Sequence, residues 1–404
     1  MSTTLDNAEY AALRDRGLRL DLTRGKPSAE QLDLVAFPAD GDFRTADGSD
    51  CRNYGGLAGL PELREIFSGF LQVPAGQLLA LGNSSLTLMH DIVVHALLFP
   101  LPGSASGWPG NSAFLCPVPG YDRHFSVCEK FGNEMIQVPM LSDGPDMDVV
   151  EELAASDPRI KGMWCVPKYS NPTGVCYSPA TIERLAGMRT AAGDFRLFWD
   201  NAYPVHYLTQ DGPAEIEPLL DACERAGNPD RAFVFGSTAK ITYAGAGVAF
   251  FGSSPANVSW FLGHLAKQTI GPDKMNQLRH ARLLRSPEGV LELMGRHREI
   301  LAPKFALVDE VLSDGLAGIA SWTRPEGGYF MTVGVPGGCA AAVVRLAADA
   351  GIAVTPAGAT HPYGRDPRDR TIRLAPTFPS LADLEQAMRG LVTCVRLAAD
   401  GGRL

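Results

Sequence analysis

The sequence predicts an α/β layer fold, in which a largely parallel sheet is held between helices and joined to a smaller α+β unit. Two observations predict it. Six short apolar runs alternate with helical segments through the middle of the chain, and after about Ser286 the order changes to helix, strands, helix. Runs apolar on both faces belong to a sheet covered on both sides, and alternating β and α elements build such sheets in parallel.

The first fifty residues, with Pro27 and Pro38, read as loop-rich and are expected to pack with the C-terminal part of the chain. "LPELREIFSGFLQV" (60–73) has helical periodicity with Pro61 as its start signal. The expected strands are "SAFLCPV" (112–118), "NEMIQVPM" (133–140), "IKGMWCVP" (160–167), "FRLFWD" (195–200), "RAFVFGS" (231–237) and "GVAFFGS" (247–253). "SPATIERLAGMRTAAG" (178–193) supplies a helix opened by Ser178–Pro179, and "LPGSASGWPGNS" (101–112) is a loop rather than a linker between units. From Ser286 a long helical stretch contains Pro303, which should kink or break it. Then follow "GGYFMTVGVP", a helix "AAAVVRLAADAG", strands "IAVTP" and "TIRLAP", and a closing helix through "LADLEQAMRGLVTCVRL". The expected division is an N-terminal segment 1–50, a large domain 51–285 and a small domain 286–404.

At 404 residues, 45% hydrophobic and 20% charged, the chain is globular and too long for one minimal core. A formal charge of −9 argues against a dedicated nucleic-acid or anionic-membrane surface while allowing a local basic pocket. The eight cysteines form no CxxC pair and no cluster, so neither a metal site nor a disulfide framework is expected. The polar N-terminus lacks an apolar leader, and "DIVVHALLFPLPG" is too short to span a bilayer. A cytoplasmic protein with no membrane or nucleic-acid partner is the expectation.

Four short stretches carry candidate chemistry. In "GNSSLTLMHDIV" (82–93), small polar residues precede a helix, and the amides at such a start bind anions; taken alone, Ser84 or Ser85 is an ordinary cap. "SNPTG" (170–174) follows a strand and by itself is a turn. "FWDNAY" (198–203) sets Asp200 at the end of an apolar strand, where side chains reach the ligand crevice of α/β sheets, or simply water. "FVFGSTAKITYAGAGVAFFG" (233–252) places Lys240 among small and apolar residues. An unpaired ammonium is costly to bury, so such a lysine snorkels outward, is paired, or is chemically engaged.

In this order and spacing the four stretches resemble the pyridoxal-phosphate (PLP) aminotransferases of fold type I. The resemblance implies a large domain with a mostly parallel seven-stranded sheet between helices, plus a smaller α+β domain. It implies that Lys240 carries PLP as a Schiff base and serves as the base. Asp200 keeps the pyridine nitrogen protonated; Tyr203 and Asn171 hydrogen-bond the cofactor's ring oxygen; Ser84, Ser85 and Ser237 hold the phosphate. "VPGYDRH" (118–124) resembles the segment whose aromatic residue, here Tyr121, stacks on the cofactor. "NYGGLAGLPELR" (53–64) resembles the segment whose tyrosine, here Tyr54, reaches the phosphate of a neighbouring subunit, which implies a homodimer with shared sites. "IRLAP" (372–376) and "LTRGKPS" (22–28) resemble the segments that clamp the substrate carboxylate with an arginine, here Arg373, and close over it with a glycine, here Gly25. Asn171 also falls among the substrate-binding positions.

"DLTRGKPS", "CRNYGGLAGLPELR", "GNSSLTLMHD", "GSTAKITYAGAGVAFF" and "QTIGPDKMNQLRHAR" are similar to the bacterial aspartate aminotransferases of subgroup Ic. One position departs: many of the wider family have a phosphate-binding arginine eight residues after the lysine, and here that position is Val248. The implied reaction is transamination of aspartate with 2-oxoglutarate. A dicarboxylate needs a second cation, for which Arg123 is the first candidate and Lys267, in "GHLAKQTIGP", the second. The same PLP chemistry also serves elimination, γ-replacement or condensation in specialised metabolism. A PLP-binding regulatory domain is the remaining alternative, and about twenty residues before "DLTRGKPS" are too few for a DNA-binding unit.

Overall fold

The computed structural model describes residues 2–23, 25, 27–35 and 42–400. Arg24 and Lys26 of the "LTRGKPS" segment, and Pro38, lie outside the described residues. In chain order the strands are β1 (Leu20–Leu22), β2 (Leu78–Ala80), β3 (Ala113–Val118), β4 (Glu134–Leu141), β5 (Gly144–Pro145), β6 (Ile160–Cys165), β7 (Arg196–Asp200), β8 (Ala232–Ser237) and β9 (Ala249–Gly252). They continue with β10 (Ser321–Trp322), β11 (Met331–Gly334), β12 (Ile352–Val354) and β13 (Thr371–Leu374).

The central sheet has the order β2-β9-β8-β7-β6-β3-β4-β5. The block β4, β3, β6, β7, β8 is parallel throughout, while β9 and β2 complete one edge in antiparallel pairings. The sheet has eight strands, one more than the resemblance implies. The extra strand is the two-residue β5, which folds back on the end of β4 through Met140↔Pro145 and Leu141↔Gly144.

Residue alternation explains why the strands read as apolar on both faces. Leu115, Cys165, Trp199 and Val234 enter one core, under the helices Pro61–Leu71, Met147–Ser156, Pro179–Gly187 and Leu219–Arg225. Phe114, Trp164, Phe198 and Phe233 enter the other, under the helices Ser85–Leu98, Asp122–Phe131 and Pro255–Gln268. On that second face aromatic rings run across the strands, Phe114 stacked on Trp164 at 5.3 Å and Trp164 tilted against Phe198 at 4.7 Å. Both faces are sealed, so a polar side chain within reach of this sheet is confined to the strand ends.

A third core joins Tyr10, Leu13 and Leu22 to residues between Phe305 and Ala398. It holds the antiparallel sheet β10-β11-β13 and the parallel pair β1–β12, with Leu20 opposite Ile352. The N-terminal stretch departs from the loop-rich expectation, because Ser2–Asp15 is a helix. Tyr10 and Leu13 give it a narrow apolar face three residues apart, and the Tyr10 hydroxyl donates to the Leu346 carbonyl at 3.0 Å. Pro303 does not end the long helix Pro287–Leu316. Pro303 and Glu299, the residue whose carbonyl it leaves without its helical donor, are both exposed, so the lost bond is not a buried one. Val290 and Met294 belong to the first core, whereas Phe305, Val308 and Leu312 belong to the third, so this helix runs through both. No helix among the described residues is long and apolar enough to cross a membrane.

Chain direction places the site. After β3 the chain turns outward to β4, and it returns on the other side of β3 as β6. The loops leaving the carboxyl ends of β3 and β6 therefore diverge and open a crevice, the position where parallel α/β sheets bind ligands.

Candidate active site

A cavity of about 690 Å³ lies at that crevice, and its lining includes Tyr121 after β3, Asn171 after β6, Asp200 at the end of β7, and Ser237 and Lys240 after β8. Arg373 of β13 and Gly25 join it from the third core.

Asp200 is buried, and its Oδ2 lies 3.1 Å from Nε2 of His124, which donates to it because a carboxylate only accepts. The His124 ring is parallel to Trp164 at 4.5 Å, so stacking fixes its orientation. The other carboxylate oxygen, Oδ1, is buried without a hydrogen-bond partner. A carboxylate oxygen held out of water without a donor is costly, and a protonated ring nitrogen entering the cavity would satisfy it.

Lys240 faces this carboxylate across the cavity, with Nζ 4.9 Å from the centre of the Tyr203 ring. Burial lowers its amine pKa below the ordinary lysine value, and the Asp200 charge opposes that shift. Burial raises the Tyr203 phenol, and the Tyr121 phenol is pushed up to about 12 by burial and then by Asp200 and Asp122. Both phenols stay protonated and are donors.

Below the lysine lies a buried polar network. The Lys240 carbonyl accepts from the Tyr329 hydroxyl at 3.2 Å and faces Nε2 of His206 at 3.3 Å. Gln31 links Tyr329 at 2.9 Å to Nδ1 of His297 at 2.8 Å, tying the segment after Gly25 to the lysine's own backbone.

On another wall, the 14-residue helix Ser85–Leu98 presents its N-terminus to the cavity, and its cap residue Ser84 makes no side-chain capping bond. First-turn amides at a helix start are free to bind an anion, and Ser84, Ser85 and Ser237 line the same cavity. Val248 is 1% exposed and packed in the core, so its position offers the cavity no charge.

On the rim, Arg373 is buried; its Nη1 donates to Asp122 at 2.8 Å and to Asn171 Oδ1 at 3.4 Å, and its Nε to Thr355 at 3.3 Å. Gly25 packs so close to Phe330 that a Cβ would lie 2.5 Å from its ring, which no other residue type tolerates without movement. Arg123 lines the cavity from the exposed side.

Two sequence candidates stay outside the cavity in this chain. Tyr54 is 83% exposed and borders a separate cleft with residues 269–275; Lys267 is exposed on the last turn of the helix Pro255–Gln268. Four neighbours that the sequence did not single out are His124, Asp122, Thr355 and Phe330. His124 had one signal: it stands three residues after Tyr121, hence on the same side of a helix that starts at the cleft.

The family model for aspartate aminotransferase matches residues 2–404. The aspartate aminotransferase of Corynebacterium glutamicum is 50% identical, over 97% of this chain and 92% of its own length. The crystal structure of an aspartate transaminase from the same species superposes with a TM-score of 0.95 at 49% identity, covering 98% of this chain and 95% of that one. An α-aminoadipate aminotransferase from Thermus thermophilus, complexed with N-(5′-phosphopyridoxyl)-L-leucine, shares the fold at TM-score 0.75 and 22% identity, with 95% of each chain covered.

Proposed function

This chain belongs to the aspartate aminotransferase family and is a transaminase, and from that premise we propose that it uses PLP to exchange the amino group between L-aspartate and 2-oxoglutarate. The observation that carries the reading is the convergence in one cavity of an amine, a carboxylate with an unpartnered oxygen and a buried arginine: Lys240, Asp200 and Arg373. The residues fit the cofactor. Asp200 Oδ1 would accept from the ring nitrogen while His124 holds Oδ2. Tyr203 and Asn171 would hydrogen-bond the ring oxygen, Tyr121 would lie against the ring, and Ser84, Ser85, Ser237 and the helix N-terminus would hold the phosphate.

Bound there, PLP supplies an electron-withdrawing ring that accommodates the electron pair left when the substrate loses its Cα proton. Lys240 would hold the cofactor through its amine, and that amine, when free, would take the substrate's Cα proton. Burial favours the neutral amine that this transfer requires. Arg373 grips the α-carboxylate, and Gly25 lets the backbone close beside Phe330. The 50% identity to an aspartate aminotransferase and a second arginine at the mouth, Arg123, support a dicarboxylic substrate.

The reading includes a homodimer. It is supported by the exposure of Tyr54 (83%) and Ile270 (65%) beside one cleft, outside the cavity of their own chain. Mixing Tyr54→Ala and Lys240→Ala subunits should then restore part of the activity through hybrid dimers. Proven subunit exchange without recovery counts against shared sites. The substrate is tested by adding single amino acids to purified holoenzyme and following the absorbance of the bound cofactor. Aspartate and glutamate should convert it, and a failure of both removes the proposed donor.

A further inference from the structure

We propose that Asp122 is a resident counter-ion that occupies Arg373 when the site is empty and must be displaced by the carboxylate of each incoming substrate. The inference rests on the reading of Arg373 as the carboxylate clamp. Asp122 opens the helix Asp122–Phe131, 251 residues from Arg373 in the chain, and both side chains line the cavity. Its Oδ1 lies 2.8 Å from Nη1 of Arg373. The same Nη1 also donates to Asn171, Nε donates to Thr355 on another side, and the Phe330 ring lies 5.0 Å away. A ligand carboxylate seeking the Nη1 edge therefore meets another carboxylate in place.

The two partners differ in a way that fits exchange. The Arg373 side chain is 7% exposed and the Asp122 side chain 31%. A buried guanidinium without an anion is costly, so an empty site needs a counter-ion. A partly exposed aspartate in the first turn of a helix loses little on release, because water and the helix N-terminus both stabilise its charge. Asp122 thus keeps the arginine paired and oriented between turnovers, at the expense of substrate affinity.

The test is Asp122→Asn in the holoenzyme, with KM and kcat measured for aspartate, glutamate, alanine and 2-oxoglutarate. KM is expected to fall for all four by a common factor of up to about five, the range for removing a competing, partly exposed ion pair. That fall should exceed any change in kcat, and Asp122→Glu, which keeps the competing charge, should stay near wild type. Binding of maleate by calorimetry should tighten by the same factor. A KM that rises or stays constant in folded Asp122→Asn overturns the proposal. If that variant does not fold, Asp122→Ser is read by the same criteria. Arg373→Ala, measured in parallel, separates the two levels. If it leaves aspartate KM unchanged, the clamp reading fails; if it weakens aspartate while Asp122→Asn does not tighten it, only the counter-ion inference fails.

Discussion

The floor and the rim of the cavity are built on opposite principles. On the floor, Asp200, His124, Trp164 and Tyr203 are each no more than 3% exposed, and all but His124 come from strand ends of one sheet or the residues just after them. On the rim, Arg373, Asp122, Arg123 and Gly25 come from three distant parts of the chain, and all but Arg373 keep some access to water. A sealed floor fixes geometry before any ligand arrives, and its charges act through weakly screened interactions. A rim of partly exposed ions can be rearranged by a ligand, so it sets affinity and choice of substrate more than the chemical step.

The most demanding test of the floor is Lys240→Ala, which should lower turnover by several orders of magnitude while leaving the protein folded. Borohydride reduction of the wild-type holoenzyme followed by peptide mapping should find the pyridoxyl label on Lys240. Lys168 is a ready internal control. It is also buried, its amine is lowered to about 8 by burial, and its Nζ donates to the Pro204 carbonyl at 2.7 Å. Label on Lys168 in place of Lys240 would break the assignment of the floor.

The rim should respond selectively. Arg123→Ala is expected to raise KM for aspartate and cost about 1 kcal/mol in kcat/KM, the upper end for a solvent-exposed charge pair. Alanine, without a distal carboxylate, should lose much less. Equal losses for both substrates would remove Arg123 from this role and leave Lys267 as the candidate to test.

Floor and rim also differ in how far the sequence disclosed them. Asp200 and Ser237 could be read because each closes an apolar run, and in a sheet sealed on both faces a polar residue at that point faces the crevice. Lys240 and Asn171 follow such runs by a few residues. His124 was hidden because its role depends on Trp164 and Asp200, which a different part of the chain brings beneath it. The Asp122–Arg373 pair spans 251 residues, and no local pattern encodes it. The N-terminal helix was missed because its apolar face is carried mainly by Tyr10 and Leu13. Pro303 misled in the other direction: on an exposed helix face, one missing backbone bond is tolerated.

Beneath the floor, the buried histidines predict a dependence of stability on pH. Burial, helped by the neighbouring Arg296 charge, lowers the His297 pKa from 6.5 to about 4. The unfolded chain therefore takes up this proton first as pH falls. The stability carried by neutral His297 is complete above about pH 6.5 and is lost progressively toward pH 4, by about 3 kcal/mol in all. In His297→Asn, whose amide oxygen can still accept from Gln31, denaturation midpoints should fall less steeply between pH 6.5 and 4 than in wild type. An unchanged slope would mean that the histidine is not sealed beneath the lysine.

The smallest expected effect separates floor from rim most cleanly. Tyr329 is fully buried, and its hydroxyl is shared between Gln31 at 2.9 Å and the Lys240 carbonyl at 3.2 Å. Tyr329→Phe keeps the ring and removes only that oxygen. Gln31 then loses an acceptor, and the Lys240 carbonyl retains its contact with His206. The cost in unfolding free energy should be about 1 kcal/mol, that of one buried hydrogen bond. KM for aspartate should stay near wild type, because Tyr329 touches the lysine's backbone and is not among the residues lining the cavity. Chemical denaturation and steady-state kinetics on the same preparation decide the matter. A variant with wild-type stability but a KM shifted as far as that of Asp122→Asn would show that the network under Lys240 tunes substrate affinity, and the division between a fixed floor and an adjustable rim would fail.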